Sequence, residues 1–258
     1  VWLWAVRRKF RLQRDQRHVN RMNRFERVSH FMLFITFSLL VVTGFALKFP
    51  EAFWAKWLFS IGMTEAVRAW IHRISATAMT LNLILFFVYM FLRRRGRGLL
   101  REILPGKRDF TDFFKSVRFY IKRPNTNAHP RFGVFNFAEK FEFWALVWGT
   151  GVMVVSGAIL WFPKAIPAEW PTWIINVARV VHYYEALLAT LAILIWHGYH
   201  TLFHPDEYPM NTSWITGYIT AEEAEHRFEP KAVEKMQRSE KPKKQAPPAK
   251  VPDGEKGE

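Results

Sequence analysis

Four stretches of the chain are almost wholly apolar, and the segments between them are polar and basic. The first covers about 31–49 and holds no charge before Lys48; the second covers about 74–92 and holds none. The third is 143–162. The fourth is about 186–196, and it extends through polar residues to about 174 and 203. A helix rises ~1.5 Å per residue, so ~20 residues cross a ~30 Å hydrocarbon core. The first three stretches are long enough outright. The fourth spans only if its histidines lie inside the membrane. The pattern predicts an all-α integral membrane four-helix bundle. Within the polar segment between the second and third stretches, Phe110, Phe113, Phe114, Val117 and Ile121 recur at helical spacing among Lys115, Arg118 and Lys122. That predicts an amphipathic helix lying on the membrane surface. Thr220 and Glu223 have capping-box spacing for a short helix near the C-terminus. From about Lys231 the composition is low-complexity and predicts disorder. No internal repeat stands out.

Charge sets the expected orientation. Residues 7–27 carry nine Lys/Arg, and 93–140 carry thirteen against four acids, whereas 48–68 and 163–173 carry three and one. The positive-inside rule makes the two basic segments cytoplasmic and the two short loops outward-facing. The formal net charge of +15 and the mean hydropathy of −0.07 are averages over very basic and very apolar blocks. The charge is a topology signal, and no nucleic-acid partner is expected. The domain plan is a basic segment at 1–27, a membrane domain at 28–204 with its cytoplasmic loop at 93–140, and a cytoplasmic tail at 205–258. Residues 1–6 are apolar and precede the basic stretch, as either the end of an earlier helix or a short interfacial anchor of Trp residues. The outward loops are rich in Phe, Trp and Pro, as suits an aromatic belt or a docking surface for an outward partner.

The chain has no cysteine, which excludes disulfides, thiolate zinc, Fe–S ligation and covalently attached c-type haem. It has nine histidines, and His30, His72, His182 and His197 lie on or at the ends of the predicted spans, with His200 one turn further. An ionisable side chain in a bilayer marks function by default. Chain direction places His30 and His197 near the cytoplasmic side and His72 and His182 near the outer side. Each level then has two imidazoles from different helices, as a six-coordinate b-type haem requires. The step from 182 to 197 is 15 residues, ~22 Å along a helix axis, which suits two stacked haems. It also turns ~60° about the axis, and His200 lies more nearly in line with His182, so spacing leaves His200 as an alternative to His197. Arg27, Arg73 and Arg179 flank these histidines and are candidate propionate partners, or else snorkelling residues at the interface. Gly44, Gly151 and Gly157 would let a flat macrocycle approach the backbone, or let helices pack closely.

These residues resemble the dihaem cytochrome b membrane subunits of bacterial respiratory formate dehydrogenases, Ni–Fe hydrogenases and thiosulfate-type reductases. The resemblance covers about 23–217 and is carried by RFERVSHFMLF, WIHRISA, FNFAEKFEFWALVWGTGVMVVSGAILWF and VVHYYEALLATLAILIWHGYHTLFHPDEYP. It implies a four-helix bundle with two b-type haems between the helices, His72 and His182 holding the outer one and His30 and His197 the inner. It also implies a quinone (menaquinone) pocket near the inner haem, with Asn136 and Ala138 at the positions that line it and Glu139 and Lys140 beside them. The family's two ligands on helix four are usually 14 residues apart, and position 196 here is Trp; one inserted residue restores the match at His197 and leaves His200 in play. The expected function is electron transfer between the quinone pool and a periplasmic redox subunit, whether a multihaem c-type cytochrome, an Fe–S protein or a molybdenum or nickel–iron enzyme. The alternatives are a haem conduit without a quinone site, and a non-redox membrane anchor or metal transporter.

Overall fold

A computed structural model describes residues 1–14, 16–122, 131–167, 169–204 and 207–238. The four apolar stretches are four helices long and apolar enough to cross a membrane. After α1 (Trp2–Arg14) and the short strand β1 (His18–Asn20), the first spanning helix is α2 (Arg24–Lys48). A loop helix α3 (Phe53–Ser60) leads to the second, α4 (Glu65–Leu92). Two helices, α5 (Arg94–Ile103) and α6 (Lys107–Lys122), precede the third span, α7 (Phe137–Trp161). The fourth is α8 (Trp173–Leu191), prolonged by π-helical turns at Ala192–His197 and Tyr199–Phe203. α9 (Ser213–Thr216), β2 (Tyr218–Thr220), α10 (Ala221–Arg227) and α11 (Pro230–Arg238) follow.

The spans begin earlier than the apolar runs because polar residues cap them. Asn23 accepts from the Glu26 backbone N–H and Glu26 reaches back to the Asn23 N–H, both at 2.8 Å. Asn136 and Glu139 form the same reciprocal box before α7. Each cap stabilises its helix by about 1 kcal/mol. Large apolar side chains such as Phe34, Leu85, Val155 and Leu188 face outward. The buried side chains of the spans are mostly small or polar: Thr43, Ala46, Ser75, Thr150, Ser156, Ala178 and Thr190. This inverted pattern belongs to a bundle whose outer surface meets lipid.

The bundle is two helical hairpins, α2 with α4 and α7 with α8, which pack within themselves more extensively than against each other. The expectation of no internal repeat is corrected by their geometry. α2 and α7 are each 25 residues long and each starts with an Asn-x-x-Glu capping box. Both end on a Phe of nearly the same backbone angles, φ −125°, ψ 62° at Phe49 and φ −120°, ψ 58° at Phe162. Aligned on the caps, VVTGFALKFP (41–50) lies over VVSGAILWFP (154–163). The repeat escapes a reading by composition because it is spread over 113 positions and broken by the long polar loop.

The segments before α2 and after the fourth span, up to α11, meet at the basic end of the bundle. β1 pairs antiparallel with β2, with Val19 opposite Ile219, so the expected all-α fold carries one small two-stranded ribbon. Val19, Ile219, Ala224, Phe228, Ala232, Val233 and Met236 form a small apolar core there. Gly217, at φ +92°, takes the left-handed turn before β2, where a Cβ would press on the Met22 carbonyl at 2.7 Å. Disorder expected from about residue 231 is corrected for 231–238: α11 turns Ala232, Val233 and Met236 inward, an amphipathic spacing hidden within a polar composition. The rest of the expected disordered tail, 239–258, lies outside the described residues. α1 forms one continuous helix, and Trp2 Nε1 and Lys9 Nζ donate to backbone carbonyls of Pro209, Glu207 and Met210. Thr220 caps α10 through the Glu223 N–H at 3.1 Å. On α6, Asp112 and Ser116 are buried while Phe110, Phe114 and Ile121 are exposed, the arrangement of a helix whose apolar face is free for the membrane surface.

Candidate functional site: two facing pairs of imidazoles

At the loop end, between the two hairpins, His72 on α4 faces His182 on α8. Their ring centroids are 6.4 Å apart and the rings are inclined at 57°. Each ring is held from behind by the partner helix of its own hairpin. Thr43 Oγ1 on α2 lies 2.8 Å from His72 Nδ1, and Ser156 Oγ on α7 lies 2.9 Å from His182 Nδ1. The next residue is glycine in both cases. A Cβ at Gly44 would stand 3.4 Å from His72 Cε1, and one at Gly157 would stand 3.2 Å from His182 Cε1. Gly44 thus receives an imidazole edge, while a Cβ at Gly151 would meet nothing within 4 Å.

At the basic end, His30 on α2 faces His197, with centroids 6.3 Å apart and rings inclined at 37°. His197 ends the first π-helical turn. A π turn takes an extra residue relative to α-helix, so it accommodates the one-residue surplus in the spacing from His182 and winds back part of the ~60° offset. His197 Nδ1 lies 2.9 Å from the Glu142 carboxylate. His30 Nδ1 is buried and makes no hydrogen bond among the described residues, and Trp214 packs on its ring at 5.6 Å. His200 does not join this pair: its Nδ1 lies 2.8 Å from the Trp196 carbonyl and its ring packs on Trp196, Tyr199 and His204.

Both pairs have the dimensions of a bis-imidazole metal site. An imidazole nitrogen binds a transition metal at about 2.0 Å, and the ring centroid lies about 1 Å beyond, so two rings on one ion have centroids about 6 Å apart. In three of the four histidines Nδ1 is engaged. None of the four Nε2 atoms makes a hydrogen bond among the described residues, which leaves that nitrogen available to a metal. Among the described residues no group of three or more His, Cys, Asp or Glu converges as a metal cage, so the arrangement suits a metal that brings its own equatorial ligands, as haem iron does. The small side chains at Gly44, Ala46, Ser156, Gly157 and Ala178 suit a flat group between the hairpins.

The flanking arginines differ. Arg27 donates to the Ile215 carbonyl, and its buried Nε makes no hydrogen bond among the described residues. Arg73 lies over the Trp161 ring at 5.2 Å, and Arg179 donates to Asn176 at 3.2 Å in an exposed position. Arg68, one turn before His72, was not picked out by its sequence position alone; it is buried and donates to the Thr43 carbonyl at 3.1 Å and to Glu65. At the start of α7, Ala138 is buried. Asn136 Oδ1 and Glu139 serve the capping box, Glu139 also pairs with Arg21 at 3.0 Å, and Lys140 pairs with Asp109 at 2.9 Å. The Asn136 side-chain amide donors make no hydrogen bond among the described residues. Sequence reasoning also missed Thr43, Ser156, Glu142 and Trp214, for which the hairpin repeat and a carboxylate just before an apolar run are the available signals.

The chain is similar to the cytochrome b556(fdo) subunit of formate dehydrogenase from Escherichia coli (strain K12), at 26% identity over 196 residues, 76% of this chain and 79% of that protein. It is 26% identical over 171 residues to the formate dehydrogenase cytochrome b556 subunit of Haemophilus influenzae, 66% of this chain and 65% of that protein. With the nitrate-inducible formate dehydrogenase cytochrome b556(Fdn) subunit of Escherichia coli (strain K12), identity is 23% over 170 residues, 66% of this chain and 71% of that protein. The family model of the prokaryotic cytochrome b561 proteins matches residues 21–208, from the segment before α2 to just past the last π turn. A match over all four spans and both imidazole pairs establishes that the chain belongs to the prokaryotic cytochrome b561 family, electron-transferring b-type cytochromes of the bacterial inner membrane.

Proposed function

We propose that the chain is a dihaem subunit that passes electrons across the membrane between a periplasmic redox partner and the quinone pool. The observation that carries this is the presence of two imidazole pairs of equal spacing at the two ends of one four-helix bundle. His72 and His182 hold one haem near the outward loops, and His30 and His197 hold the other near the basic, cytoplasmic end. A bound haem supplies one-electron transfer; the protein supplies axial ligands, spacing and electrostatics. Arg27, whose Nε makes no hydrogen bond among the described residues, would be the cation available to a propionate at the basic end. Arg179, Arg73 and the buried Arg68 provide positive charge at the loop end. Two stacked centres shorten each transfer step across a ~30 Å hydrocarbon core.

Quinone binds at the basic end before α7. Asn136 uses its oxygen to cap the helix, and its free amide donates to a quinone carbonyl. Ala138 leaves room beside it. Glu139 and Lys140 are held by Arg21 and Asp109 and frame this pocket. A quinone takes up two electrons and two protons, and the protons come from the cytoplasmic side. The outward partner is a dehydrogenase catalytic subunit, as the names of the formate dehydrogenase relatives suggest. Partners carrying multihaem c-type cytochrome, Fe–S, molybdenum or nickel–iron centres all suit the loop-end haem. A second reading, a conduit without a quinone site, is favoured by the commitment of Glu139 and of the Asn136 oxygen to the cap.

Two measurements test the reading. Purified protein reduced with dithionite should show a b-type α-band and two haems per chain; a chain without that band is not a cytochrome, and one haem per chain removes the dihaem scheme. Asn136→Leu should slow quinone-linked turnover several-fold while both haems still reduce chemically. Unchanged quinone kinetics with intact haem content would move the pocket elsewhere or support the second reading.

A further inference from the structure

The repeated hairpin places the same two residues behind each loop-end histidine. Thr43 and Ser156 stand 20 residues after their capping asparagines, Asn23 and Asn136. Each is followed by glycine and each points at an Nδ1. The hydrogen bonds of each hydroxyl then favour one protonation state of its histidine. Thr43 Oγ1 donates its one proton to the Leu39 carbonyl at 2.6 Å, and Ser156 Oγ donates to the Val152 carbonyl at 2.7 Å. A hydroxyl has a single proton. With that proton on the helix carbonyl, each oxygen meets its imidazole as an acceptor and Nδ1 carries the hydrogen. A neutral imidazole protonated on Nδ1 has its lone pair on Nε2, the nitrogen turned to the ligand position. The Thr43 carbonyl also accepts from buried Arg68, which ties this turn of α2 to α4.

We propose that Thr43–Gly44 and Ser156–Gly157 are a matched pair of positioning elements for the loop-end haem. Each hydroxyl locks its histidine in the Nδ1–H tautomer and raises the donor strength of Nε2. Each glycine admits the ring edge against the backing helix. The two dyads act on one haem from opposite sides, because they back the two imidazoles of one pair. The basic-end pair has neither device: His197 is backed by a carboxylate, and His30 by no hydrogen-bond partner among the described residues. This inference rests on the dihaem reading.

The test is a redox titration, with haem quantitation, of the full-length protein in detergent. Thr43→Val keeps the volume and loses the acceptor; Ser156→Ala loses it with one atom fewer. Both variants should raise the midpoint potential of the same haem, since a weaker imidazole donor stabilises the ferric state less, and leave the other haem unmoved. Loss of such a backing group typically weakens metal binding about 10- to 100-fold, so that haem should also be released first on dilution. Thr43→Ser and Ser156→Thr keep the hydroxyl and should restore the wild-type potential. If wild type shows two haems and neither Thr43→Val nor Ser156→Ala shifts a potential, the positioning role is overturned. If the two variants shift different haems, it is overturned as well. If wild type lacks two haems, the reading beneath it fails first, and the proposal with it.

Discussion

The two ends of the bundle bring two imidazoles together at nearly the same spacing, 6.4 Å and 6.3 Å, by opposite means. The loop-end pair is symmetric. Its histidines come from the second helix of each hairpin, and each is backed by a hydroxyl and a glycine at matching positions of the first helix. The basic-end pair is asymmetric. It takes His30 from the first helix of one hairpin and His197 from the second helix of the other, reached through a π-helical turn. Phe143 stands 113 positions after His30, and it packs against Phe86 and Phe87 of α4. A phenyl ring on α7 thus stands at the position that repeats His30. One level of the bundle uses the repeated arrangement, and the other does not. The asymmetric end is where quinone is proposed to bind and where α1, β1, β2, α10 and α11 gather.

The largest effect should come from the ligands themselves. His72→Ala and His182→Ala should each lower haem content from two per chain to one and eliminate the same potential. His30→Ala and His197→Ala should eliminate the other, and His200→Ala should eliminate neither. Pyridine haemochrome quantitation with redox titration reads this directly. A shared loss between His72 and His30 would break the division into two levels.

Titration distinguishes the ends next. Burial pushes the Glu207 carboxyl up to about 7 against the opposing pull of Arg227, and its Oε2 is buried with no hydrogen-bond partner among the described residues. The folded basic end therefore holds a proton that the unfolded chain releases near 4.5. That contribution to stability is complete below about 4.5 and is lost as pH rises through about 7, on the order of 3 kcal/mol in total. Exchange protection of α10 and α11 amides, corrected for intrinsic rates, should fall between pH 5 and pH 8. Glu207→Gln should flatten that dependence, while protection of the loop-end halves of α2 and α7 should not follow it.

Glu142→Gln sharpens the comparison from the chemical side. Replacing an anionic acceptor at His197 Nδ1 by a neutral one removes about 1 kcal/mol of hydrogen-bond strength, roughly fivefold in the reduction equilibrium. The basic-end haem should become easier to reduce and the loop-end haem should not change. A shift in the loop-end potential instead would contradict the pairing. The smallest expected effect is at the glycines. Gly157→Ala, with the tighter approach of 3.2 Å, should perturb the loop-end haem spectrum more than Gly44→Ala at 3.4 Å.

Much of this molecule is legible without coordinates because bilayer thickness imposes it. A run of about 20 apolar residues has few options in hydrocarbon other than a helix, so the four spans follow from 31–49, 74–92, 143–162 and 174–203 with errors only at their capped ends. The levels of His30, His72, His182 and His197 follow from rise per residue and chain direction. The choice between His197 and His200 did not follow from spacing, because a local π turn changes the angular position of every later residue and has no simple composition signal. The order in α11 was hidden by averaging, since three inward-facing residues suffice to dock a helix that is otherwise polar. Which atoms back each imidazole was decided inside each hairpin, and which imidazoles face each other was decided only when the two hairpins, 113 residues apart in sequence, came together. The chain alone determined the four spanning helices and the level of each histidine along them, which depend on local spacing and solvent. The tertiary structure decided which imidazoles face each other, what backs each of them and how the two ends differ, which depend on contacts between residues distant in sequence.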